Sequence, residues 1–158
     1  MTAKGKKVII GLSLVTLIIL IMGIFNFLKK EQNEKVVTNS IGEFSFVKID
    51  GTKNYKGKIK SNFFDTVEVI FPINEDSISE YQIEYFKKIE NNWSSISKQL
   101  SAKKSDTDFR DYRVVTLLIP DKGSEFYDMD AEIVLEKGKS IFSLILTDLN
   151  LDEIIECQ

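Results

Sequence analysis

Asp148, Asn150 and Asp152 stand at the first, third and fifth positions of an EF-hand loop, the spacing at which side-chain oxygens converge on calcium. The sixth position, where that loop turns sharply on glycine, is Glu153, so calcium is not assigned. Lys56, Lys58 and Lys60 alternate, as three ammonium groups facing anionic lipid would, but lysines in a strand more often guard an exposed sheet edge, and that reading is preferred. The carboxylate pairs Glu75 with Asp76 and Asp128 with Asp130 are the types that acid and base catalysis uses in glycoside hydrolysis, although adjacent acids are more often solvated turn residues. Cys157 is the single cysteine, and the chain has no histidine. That composition excludes an internal disulfide, a His-dependent triad and a His-ligated metal, and it leaves the thiol without a usual base. No residue is therefore assigned a catalytic, cofactor-binding or metal-ligating role.

The elements that would carry these residues are legible from periodicity. Glu43 to Ile49 reads as a strand with Phe44, Phe46 and Lys48 on one face, and Asp50 with Gly51 marks a turn. Further strands are expected at Tyr55 to Lys60 and at Thr66 to Phe71, where Val67, Val69 and Phe71 alternate and Pro72 stops the run. Ser77 and Glu80 fit an S-x-x-E capping box. After it, Ile83, Phe86, Ile89, Trp93, Ile96 and Leu100 recur every three or four residues, an apolar stripe of about five or six helical turns that would cover a sheet. Ser101 to Asp108 reads as a loop or a frayed helix end. Arg113 to Ile119 is a strand, and Asp130 to Glu136 with Ser140 to Leu146 form a hairpin around Lys137, Gly138 and Lys139. Strands, one long helix, then more strands indicate an α+β fold: an antiparallel sheet with one long amphipathic helix packed on a face.

Ahead of this domain, Val8 to Leu28 holds no charged residue, and at about 1.5 Å per helical residue the run spans about 30 Å, the thickness of a bilayer's hydrocarbon core. It is longer than a cleaved signal's apolar stretch and lacks a small-residue cleavage site, so a single N-terminal transmembrane helix is expected. The organisation is then a short basic tail at 1–7, an anchor at 8–28, a polar spacer at 29–40 and a soluble domain at 41–158. Lys4, Lys6 and Lys7 before the run nearly balance Lys29, Lys30 and Lys35 after it; the very short leading tail favours a single-pass protein of a bacterial cell membrane with its domain extracytoplasmic.

All 24 acidic residues follow the run, while Lys4, Lys6 and Lys7 of the 21 basic ones precede it, which leaves the rest at a formal charge of −6. From Asp121 onward there are ten acids and three bases. Such a balance excludes a nucleic-acid binder and allows a basic protein partner.

The segment Tyr55 to Leu100 carries Gly57-Lys58-Ile59, Val67 and Val69, the acidic turn Glu75-Asp76, then Ile78, Ser79, Gln82, Tyr85, Phe86 and Asn92. In this order it resembles a loose group of uncharacterised bacterial α+β domains, some of which look like immunity proteins encoded beside polymorphic toxins. Phe126-Tyr127-Asp128-Met129-Asp130 departs from that group's pattern, as does the apolar run. The resemblance implies no catalytic residue. The expected function is a membrane-tethered, non-enzymatic binding domain, with toxin immunity as its specific form. The alternatives are a cell-envelope assembly or sensory subunit that binds another membrane protein, and a His-free hydrolase.

Overall fold

The structure, a computed structural model, describes residues 35–157; the apolar run, the tail before it and the first part of the spacer lie outside the described residues. Among the described residues no helix is long and apolar enough to cross a membrane. The strands are β1 (Val36–Thr38), β2 (Glu43–Ile49), β3 (Thr52–Ser61), β4 (Asp65–Pro72), β5 (Arg113–Leu118), β6 (Ala131–Lys137), β7 (Ser140–Thr147) and β8 (Asn150–Cys157). One helix, α1 (Glu80–Lys103), lies between β4 and β5. The eight strands form one sheet in sequence order.

Short turns build most of that sheet. Asp50 and Gly51 adopt φ of +47° and +82°, and Asp148 and Leu149 adopt +49° and +62°. Both are two-residue loops with positive φ at each position, the type I′ geometry whose twist matches that of antiparallel strands. At the β6–β7 turn only Gly138 is positive, at +62°.

Alternation then decides which side of the sheet each residue takes. Phe44, Tyr55, Val67, Val69, Phe71, Leu117, Ile133 and Leu144 are fully buried on the side that α1 covers, where Phe86, Ile89, Ile96 and Leu100 descend from the helix. Each such aliphatic or aromatic burial is worth about 1.5–3 kcal/mol. On the other side, Ile70 of β4 lies beside Leu118 of β5, which faces Glu132 of β6.

Four features differ from the expectation. First, the sheet is antiparallel except for β4 and β5, which run parallel through Glu68↔Thr116 to Ile70↔Leu118; a connection containing a long helix brings the chain back to start the next strand in the same direction. Second, residues 36–38 of the expected spacer are β1, because Val36–Thr38 finds backbone partners on Phe44 and its neighbours. Third, the capping box is Ser79 with Gln82, two residues beyond Ser77 with Glu80, and α1 runs to Lys103, three residues past Leu100. The reason is tertiary. The Gln82 amide also donates to Pro72 O at 2.7 Å and to Ile119 O at 2.9 Å, carbonyls at the ends of the two parallel strands. Fourth, Asn150–Cys157, where no strand was expected, is β8, and Asp148 with Leu149 is the turn into it.

Candidate functional site

Of the ten acids of the carboxy-terminal part, four lie in the loop before β6, two on β6, one in the β7–β8 turn and three on β8. Across β4 and β5, the strands β1–β4 with Lys35 and the connecting turns hold six lysines and four acids. Cations from the end of α1 and just after it reach β8: Lys103 Nζ donates to Asp152 O at 3.3 Å, and Lys104 lies 3.7 Å from Glu156.

Besides Asp121, which accepts from Ser79 Oγ at 2.7 Å and from Lys122 N–H at 2.8 Å, three of these acids are held by specific contacts. Asp130, at the entry to β6, accepts from Tyr81 Oη at 3.0 Å, from the Asp148 backbone N–H at 2.7 Å and more distantly from Tyr85 Oη at 3.5 Å. Tyr85 Oη in turn accepts from Leu149 N–H at 3.1 Å. Burial, together with the neighbouring Asp130 and Asp148, pushes the Tyr85 hydroxyl up to about 12 against the Leu149 N–H, which pulls it down. Tyr81 is pushed up further, by burial first and then by its hydrogen bond to Asp130. Further along α1, Gln99 donates to Leu149 O at 3.3 Å and accepts from Leu151 N–H at 2.8 Å. The β7–β8 turn is therefore clamped to the helix at both of its backbone sides. Asp148, Asn150 and Asp152 serve this turn and strand, and among the described residues no group of three or more metal-ligating side chains assembles.

Glu132 is the second held acid, on the side of β6 away from α1, with only 1% of its surface exposed. Ser143 Oγ of β7 donates a short hydrogen bond to its Oε1, and Oε2 is buried with no hydrogen-bond partner. Burial pushes this carboxyl up to about 7, against the Ser143 hydrogen bond. Cys157 of β8 lies on the same side; burial and then the Glu132 charge push its thiol up, so it stays protonated at neutral pH. Tyr127, from the loop before β6, is also pushed up to about 12, by burial first, with Glu132 and Asp50 adding to it. Glu132, Ser143, Cys157 and Tyr127 form a polar patch in which the thiol stays protonated at neutral pH. Nothing in the spacing of these residues announced it, since each reads alone as an ordinary strand or loop residue.

The third is Glu156, on β8, 3.7 Å from Lys104 of the segment after α1.

The remaining candidates are dispersed. Lys56, Lys58 and Lys60 lie on β3, which is paired on both sides by β2 and β4, so they guard no edge. Lys56 joins Glu68 of β4 at 2.9 Å, and burial lowers its ammonium despite that partner. Asp76 accepts from Lys53 Nζ at 2.8 Å while its backbone carbonyl accepts from Tyr55 Oη at 3.2 Å; Glu75 beside it is exposed, as a turn residue is. Asp128 is exposed and takes no part in the Asp130 network. A cleft of about 470 Å³ lies between Trp93, Ser97 and Leu100 of α1 and Asp108, Arg110 and Tyr112 of the following loop. Its Arg110 guanidinium holds the Asp108 carboxyl well below the usual carboxylate range.

No family model, curated protein or solved structure matches the chain. The functional reading accordingly rests on the residues themselves.

Proposed function

We propose that this chain is a membrane-tethered, non-enzymatic binding domain whose acidic side engages a basic protein, in the manner of an immunity protein that blocks a toxin. The observation that carries the reading is the excess of acids from Asp121 onward, ten against three bases, with Asp152, Glu153 and Glu156 exposed on the edge strand β8. An acidic patch opposite a basic partner raises the association rate by steering, and the gain falls as salt screens it. The uncharged run Val8 to Leu28 supplies the tether, with the domain on the outer side of the membrane.

Co-expression of the full chain with products of neighbouring genes tests the reading. Relief of one neighbour's toxicity is expected, and failure to relieve any would remove the immunity role. Replacing Val8 to Leu28 by an unrelated apolar helix of equal length separates this from an assembly or sensory subunit. Protection should survive the exchange, whereas a subunit that recognises its partner within the membrane should lose it.

A further inference from the structure

The two edges of the sheet differ. β1 is three residues long, while β8 is eight, seven of them paired with β7, and among the described residues no further strand joins it; near its start Leu151 N–H donates to Gln99 at 2.8 Å and Asp152 O accepts from Lys103 at 3.3 Å. Along such an edge alternate backbone N–H and C=O groups point outward and are free to extend the ladder. Proteins commonly guard an edge with charge, proline, shortness or a bulge; Asn150–Cys157 has no lysine or proline and is not short, its charges are all acidic, and its one irregularity lies at its start. A register irregularity between Ile145 and Leu146 disturbs its first part, and Glu153↔Ile145 through Cys157↔Ile141 then runs in regular pairing.

We propose that Glu153–Cys157 receives a ninth strand, a basic extended segment of the partner. This rests on the reading of the acidic side as the partner's surface, and it names the element that binds and the kind of segment bound. In this mode main-chain hydrogen bonds supply affinity and alternate side chains supply selectivity. Strand alternation puts Glu153 and Ile155 on the side away from α1, and Ile154 and Glu156 on the helix side. Opposite Glu156, Ile155, Ile154 and Glu153 in turn, the incoming strand therefore reads basic, apolar, apolar, basic. Glu153 is exposed and, among the described residues, has no ion pair. Glu156 has only the loose 3.7 Å contact with Lys104, which an incoming cation displaces at little cost because the glutamate is 59% exposed. Ile154 and Ile155 are half-buried, with area left for a neighbour to cover.

The test uses the full chain in detergent and a synthetic peptide bearing TKVVKT, with TKVPKT as a control of equal charge whose proline cannot complete the ladder. The first peptide is expected to bind and to slow amide exchange in residues 153–157. Binding should weaken about tenfold with TKVPKT, and again by about tenfold in the exposed double variant Glu153→Lys, Glu156→Lys, in line with charge-assisted contacts of about 1.4 kcal/mol or more. Equal binding of both peptides, or no slowing of exchange in 153–157, overturns the ninth strand. Those outcomes leave the acidic-side reading intact provided a basic protein still binds in a salt-dependent way; loss of that binding is what removes the underlying reading.

Discussion

Glu132 is where a single side chain most affects the behaviour of this domain. Its folded-state carboxyl sits near 7, against an ordinary value of 4.5, because burial penalises the anion more than Ser143 favours it. The folded state thus holds a proton that the unfolded chain releases between about pH 4.5 and 7. Stability is highest below that window, falls as pH rises through it and levels off above, a loss of about 3 kcal/mol at 1.36 kcal/mol per pH unit. Glu132→Gln keeps the shape and removes the titration. The variant should gain about 1–3 kcal/mol over the parent at pH 8 and little at pH 4.5, read by urea unfolding of the full chain with Trp93, its one tryptophan, as the fluorescent probe. Parallel stability profiles for the two proteins would show that Glu132 is ionised in the fold. Gln82 makes a second residue-scale case: Gln82→Ala leaves the buried Pro72 O and Ile119 O and the part-buried Ser79 N–H without their partner, and should cost about 3 kcal/mol. A loss below about 1 kcal/mol would mean that water takes over these contacts.

Among the elements, α1 and β3 depend on small features. Ser79 caps α1 by accepting from Gln82 N–H at 3.3 Å, and its hydroxyl donates to Asp121 Oδ1 at 2.7 Å, tying the helix start to the segment after β5. Ser79→Ala should cost about 1–2 kcal/mol, visible as a lower urea midpoint with unchanged slope. Gly57 of β3 has no room for a side chain: a methyl group there would stand 2.3 Å from Glu43 O and 2.9 Å from the Phe44 ring. The first of these neighbours is backbone, so Gly57→Ala should destabilise by about 1–3 kcal/mol and disturb the β2–β3 pairing, which amide exchange in residues 43–49 would report. Periodicity was sufficient to expect α1 and strands β2 to β7, because each carries its apolar pattern within its own residues. β1 escaped it, being three residues in a polar stretch, and β8 escaped it because Asn150-Leu151-Asp152-Glu153 alternates in the manner of an ion-binding loop.

For the whole molecule, the acidic side predicts how association responds to salt. Raising ionic strength from about 50 to 500 mM should slow association with a basic partner about tenfold or more and change dissociation much less, as stopped-flow mixing would show; a rate insensitive to salt would contradict steering by this surface. Charge counts along the chain already allowed a basic partner, and the absence of histidine already excluded whole classes of chemistry. Turns such as Asp50-Gly51 and the stripe from Phe86 to Leu100 were equally legible, since backbone preference and amphipathic period are properties of neighbouring residues. Which strands meet is not such a property. The parallel pairing of β4 with β5 follows from the return of the chain over α1, and it alone brings Pro72 and Ile119 within reach of Gln82. Within the β6–β7 hairpin Glu132 meets Ser143, with Cys157 on the next strand, but it is Leu118 of β5, brought to the sheet by that long-range pairing, that stands on the other side of Glu132. Burial depends on residues far apart in the chain, so it was settled only when the strands on either side of α1 met in one sheet.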